Sequence, residues 1–105
     1  MHIQDFLNSL KIKQIEINKI IYDDRGNKLK LNITDRNKNL IMLNFYDVYV
    51  LTDIDMFMLD KFKVESFQTK EFSDNQMIIE LILTKSDEIY PLAFVTNKLK
   101  YIIKK

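Results

Sequence analysis

Clusters of turn-forming residues interrupt this chain about every ten residues, the interval at which short antiparallel strands follow one another in an all-β domain. Asp35-Arg36-Asn37-Lys38-Asn39, Ser73-Asp74-Asn75 and Lys85-Ser86-Asp87-Glu88 are three of them. The clearest is Asp23-Asp24-Arg25-Gly26-Asn27, which holds the only glycine and lies between two alternating runs. A hairpin turning at Arg25-Gly26 is the reading. On its far side Leu29, Leu31 and Ile33 alternate with Lys28, Lys30, Asn32 and Thr34, a half-buried strand with one wet face. On its near side the apolar pattern slips between Ile17 and Ile20, as a β-bulge would make it do.

The next run, Leu40 to Asp60, is the most apolar and aromatic of the chain. Leu40, Met42 and Tyr46 share one strand face and Ile41, Leu43 and Phe45 the other, so its first half reads as a central strand ending near Thr52. From Thr52 to Asp60 acids alternate with large apolar side chains, and the pattern does not choose between strand, helical turn and loop. Beyond it, Phe62 and Val64 mark a surface strand that slips again at Phe67, and Met77 to Leu83 a second central strand. Pro91 cannot donate to a ladder, which places its strand at an edge or starts it after the proline. Lys98 to Lys105 suits a last amphipathic strand, and Ile3 to Ser9 reads as one or two helical turns. The expectation is one mainly β domain over residues 1–105: an antiparallel sandwich or curled sheet of six to seven strands, with at most one short N-terminal helix.

A chain of 105 residues buries roughly two thirds of its unfolded surface and needs no staple. There is no cysteine, hence no disulfide and no thiolate metal site. No apolar run approaches the roughly 18 to 20 residues of a membrane span, and the N-terminal stretch lacks the parts of a secretion signal. A cytoplasmic protein with no membrane association is expected.

Catalytic signals are absent from the pattern. His2 is the single histidine, which rules out a histidine metal cluster or a Cys-His pair, and one glycine cannot make a phosphate-cradling loop. Asp47, Asp53, Asp55 and Asp60 lack calcium-loop spacing and read as a solvated edge rather than a metal site. Lys98, Lys100, Tyr101, Lys104 and Lys105 are explained by a wet strand face, so no nucleic-acid partner is expected. Neither an enzyme nor a cofactor is expected.

Charge, by contrast, is segregated. Residues 1 to 40 hold eight bases and five acids, residues 61 to 105 eight bases and six acids, and residues 41 to 60 four acids and no base. Aromatic and methionine side chains among those acids suit an interface, and the acids would speed encounter with a basic partner. The same side chains could equally fill the core while the acids wet its rim. The segment Leu43-Asn44-Phe45-Tyr46-Asp47-Val48, set behind an isoleucine-rich strand and a hairpin, resembles small β-rich bacterial proteins of immunity type, over about residues 12 to 51. That resemblance implies a non-catalytic inhibitor that binds a cognate toxin domain, often a basic nuclease, through an acidic surface. The near-neutral net charge of +1 departs from the strongly acidic inhibitors. The interface residues expected on this reading are Asp47, Tyr49, Asp53, Asp55 and Met56. The alternative is a structural subunit that forms a homo-oligomer through an edge strand.

Overall fold

The computed structural model describes residues 15–23, 25–35, 37–52 and 61–104. Among them there is no helix; the expected helical turns at Ile3 to Ser9 lie outside the described residues. Strands β1 (Glu16–Asp23), β2 (Lys28–Thr34), β3 (Leu40–Tyr46), β4 (Tyr49–Val50), β5 (Phe62–Ser73), β6 (Gln76–Lys85), β7 (Glu88–Thr96) and β8 (Lys98–Lys104) form one sheet. Its order is β4-β7-β6-β5-β1-β2-β3-β8, every described pair is antiparallel, and the sheet is not closed into a barrel.

Local chemistry explains the turns. In the first hairpin the Asp23 carboxylate accepts the N–H groups of Arg25 (3.0 Å) and Gly26 (3.3 Å). A Cβ on Gly26 would stand 3.2 Å from that carboxylate, so glycine is there for the close approach, while Asn27 takes the left-handed conformation with φ of 52°. In the second turn the Asp35 carboxylate accepts the N–H groups of Asn37 (2.9 Å) and Asn39 (2.8 Å) and the Asn39 side-chain amide. Desolvation pushes the Asp35 carboxyl up, but those donors together outweigh it and hold it below its ordinary value. Between β6 and β7, Ser86 and Asp87 both have positive φ (51° and 65°), as a two-residue turn matching the strand twist requires.

The bulge expected in β1 is present, as a register shift between Ile17 and Lys19, and β5 shifts between Val64 and Ser66, one residue before Phe67. Beside the β1 bulge, Asn18 donates its side-chain amide to Thr34 Oγ1 at 2.7 Å, tying the irregularity to β2. Both expected central strands are central: β3 lies between β2 and β8, and β6 between β5 and β7. Pro91 lies inside β7, beyond the reach of β4, where the described chain gives β7 only β6 as a neighbour.

Eight strands stand where six to seven were expected, because the run expected as one strand from Leu40 to near Thr52 is divided at a corner into β3 and β4, with the matching corner between β7 and β8. The register that pairs Tyr46 with Lys98 is the one that pairs Tyr49 with Val95, so β3–β4 and β7–β8 are two continuous runs held in one ladder offset. On the first run the inward positions change parity at the corner, from Ile41, Leu43 and Phe45 to Val48; on the second they change from Leu92, Phe94 and Thr96 to Leu99. A change of parity on one strand alone would turn its apolar set outward. Because both strands change together, the ladder passes from one half of the sheet to the other, as corners do where strands switch layers.

Asp47 makes the bend by adopting φ of 53°. Thr96, fully buried, donates its hydroxyl to the Tyr46 carbonyl at 2.8 Å, and the Val48 N–H donates to the Asn27 carbonyl at 2.8 Å, fastening the first hairpin to the corner. The halves thus face each other across one core, in which Phe45 of β3 meets Phe94 of β7 edge-on with centroids 4.9 Å apart.

Candidate functional site

The corner decides what its neighbours can do. Val48 points in, so Asp47 and Tyr49 point out; Tyr49 is 69% exposed on β4, a two-residue strand whose only described partner is β7. Leu51, 49% exposed, continues the same face, and its N–H donates to the Ala93 carbonyl at 2.8 Å. Thr52 is half-buried, because its Oγ1 accepts the Ala93 N–H at 3.2 Å and closes the end of this pairing.

Following the ladders across β4, β7 and β6 gives the outer face of this half. Tyr49 stands opposite Val95, which is itself buried at 3% exposure and stands opposite Ile78; Pro91 stands opposite Ile82; Ile89, 68% exposed, extends the row of β7. Glu80 is the acid on the outer row of β6, and it pairs with Lys70 at 3.1 Å. The face is therefore apolar, open at Tyr49, Leu51, Pro91 and Ile89 and closed at Val95, with one prominent tyrosine. Of the expected interface residues the structure brings Asp47 and Tyr49 to its margin, while Asp53, Asp55 and Met56 lie outside the described residues. Leu51, Ile89 and Pro91 were not singled out from sequence, although the alternation of β7 about Leu92 and Phe94 would have marked Ile89, Pro91, Ala93 and Val95 as sharing one face.

The outer face of the other half is different in kind. Lys28, Tyr46 and Lys98 stand side by side on β2, β3 and β8, with Lys100 two residues along β8. Three ammonium groups surround the Tyr46 ring, with Nζ atoms of Lys28, Lys100 and Lys98 at 5.6, 5.7 and 6.0 Å from its centroid. Sequence reasoning saw the lysines of β8 but not Lys28, which only strand pairing brings beside them.

A narrow gap between the two halves, lined by Ile15, Ile17, Val64, Phe67 and the inner faces of β2, β3 and β6, carries no ionisable or nucleophilic side chain. No group of three or more potential metal ligands occurs among the described residues. The Tyr90 hydroxyl is raised above its ordinary pKa first by donating to the Glu88 carboxylate; its ring packs edge-on against Phe62, which makes it part of the packing. Among the described residues no helix is long and apolar enough to cross a membrane.

Scans of the chain against protein-family models, curated proteins and solved structures found no match.

Proposed function

We propose that this chain is a non-catalytic protein-binding domain of the immunity type, which seats a partner protein on the outer face of β4, β7 and β6. What carries the reading is the exposure of Tyr49, Leu51 and Ile89 together on that face. Large apolar side chains scattered singly over a surface need no explanation, but several on one face beside a protruding tyrosine fit a partner site, since aromatic anchors dominate binding energy. Asp47 would stand at the rim, where a charge acts mainly on the rate of encounter.

Self-association through an edge strand is less favoured. β8, the terminal strand beside β3, carries Lys98, Lys100 and Lys104, and edge lysines oppose the pairing of two copies.

The partner to test is the product of the adjacent reading frame, with surface-plasmon kinetics as the readout. Tyr49→Ala should leave the unfolding midpoint nearly unchanged yet speed dissociation about 30-fold or more, the range of a true anchor. Asp47→Lys should instead slow association at low salt and leave dissociation nearly unaltered. If Tyr49→Ala dissociates at the wild-type rate, this face is not the interface.

A further inference from the structure

We propose that the outer face of β2, β3 and β8 is a second binding surface, for single-stranded nucleic acid, centred on Tyr46 and the lysines around it. The inference goes beyond the protein-binding reading and concerns the opposite half of the sheet. It starts from an arrangement that is electrostatically costly by itself. Like charges gathered within one aromatic ring's reach repel one another, and the ring's negative face offsets this only in part. Among the described residues none of Lys28, Lys98 and Lys100 has a carboxylate within ion-pairing distance. Asp23 stands opposite Lys28, but its carboxylate accepts the N–H groups of the hairpin turn. Asp47, the other nearby acid, follows Tyr46 in the chain and lies past the corner.

The same face carries Lys30 on β2 and Lys104 on β8, so the positive charge runs along both strands that flank β3. A ligand that relieves this repulsion must bring several negative charges at intervals along its length. Two macromolecules could do so, an acidic polypeptide and a nucleic acid, and composition separates them. Protein interfaces are depleted in lysine and favour arginine. This face has lysines and no arginine. Lysine ammonium groups act as point charges that neutralise phosphates without demanding fork geometry. A single strand adds the further match: its unpaired bases can stack on an aromatic ring, and stacking tolerates any base because every base has a π face. Tyr46, half-buried and flanked by cations on both neighbouring strands, offers such a ring in the middle of a sheet face. A duplex would present phosphates but no base for that ring.

The probe is a fluorescently labelled oligo-dT of about twenty nucleotides, long enough to cross the face, read by anisotropy at about 50 and about 200 mM salt. Binding is expected at the lower salt and should weaken steeply at the higher. The triple variant Lys28→Ala, Lys98→Ala, Lys100→Ala removes only exposed side chains, so the fold should hold. Its plot of log affinity against log salt should be flatter by about two, close to 0.7 for each of three lost phosphate contacts. Tyr46→Leu, checked for an unaltered circular dichroism spectrum, should weaken binding by about 5-fold to 100-fold with the salt slope unchanged. An oligo-rU should behave as oligo-dT does. Absence of binding at low salt, equal binding of duplex DNA or of polyglutamate, or a triple variant with the wild-type slope would each overturn the proposal. None of those results would bear on the Tyr49 face.

Discussion

Phe45→Ala should lower the free energy of unfolding by about 3 to 5 kcal/mol, the range for emptying an aromatic site in a packed core. Phe45 is 1% exposed and occupies the last inward position of β3 before the corner, where its ring meets the edge of Phe94. Truncation therefore removes buried apolar area and an aromatic pair at the place where the two halves are joined. The surroundings have little freedom to close over the cavity. Tyr46 is held through its carbonyl by Thr96, and Val48 through its N–H by Asn27, so the backbone on either side is fixed. Urea unfolding followed by circular dichroism measures the loss, and a change under about 1 kcal/mol would mean that Phe45 is not in the core.

Leu81→Ala should cost about 2 to 5 kcal/mol by the same mechanism, from the other side of the core. Leu81 lies on β6, 4% exposed, between buried Ile79 and Leu83, and stands opposite Phe67 and Leu92 on the neighbouring strands. Phe45 and Leu81 line one gap between the halves, so the two cavities would share walls. The double variant should depart from the sum of the single losses by at least about 0.5 kcal/mol, as coupled neighbours do.

Much of this fold can be read from residue order because the signals are local. The hairpin at Arg25-Gly26, the bulge after Ile17 and the burial of Leu29, Leu31 and Ile33 depend on turn chemistry and two-residue alternation, which need no knowledge of distant strands. The corner is another matter. Phe45, Asp47, Tyr49 and Leu51 have the same parity, so an unbroken strand would bury all four or expose all four. The structure buries Phe45 and exposes the others because Asp47 adopts a left-handed conformation that reverses the inward side. Aspartate tolerates that conformation better than most residues, but nothing in its neighbours announces it.

Candidate sites follow the same division. Asp47 and Tyr49 can be picked out as interface candidates from their place in an aromatic, base-free stretch, although their exposure depends on the corner. The company they keep is not. Leu51, Pro91 and Ile89 reach one face through the pairing of β4 with β7, and Lys28 reaches Tyr46 through the pairing of β2 with β3. The acidic surface suggested by segregated charge rests mostly on residues 53–60, which lie outside the described residues; the described sheet separates an apolar outer face from a lysine-rich one. Strand order, which the sequence does not encode locally, determines that separation.

Two faces with separate ligands form the central claim, and backbone amide shift mapping by NMR tests it most directly. Titration with the adjacent gene product should move the amides of Tyr49 to Thr52 and Ile89 to Val95, Pro91 excepted, leaving Lys28, Tyr46, Lys98 and Lys100 in place. Titration with oligo-dT should do the reverse. A single set of amides responding to both ligands, or a protein partner that moves only the lysine face, would contradict it.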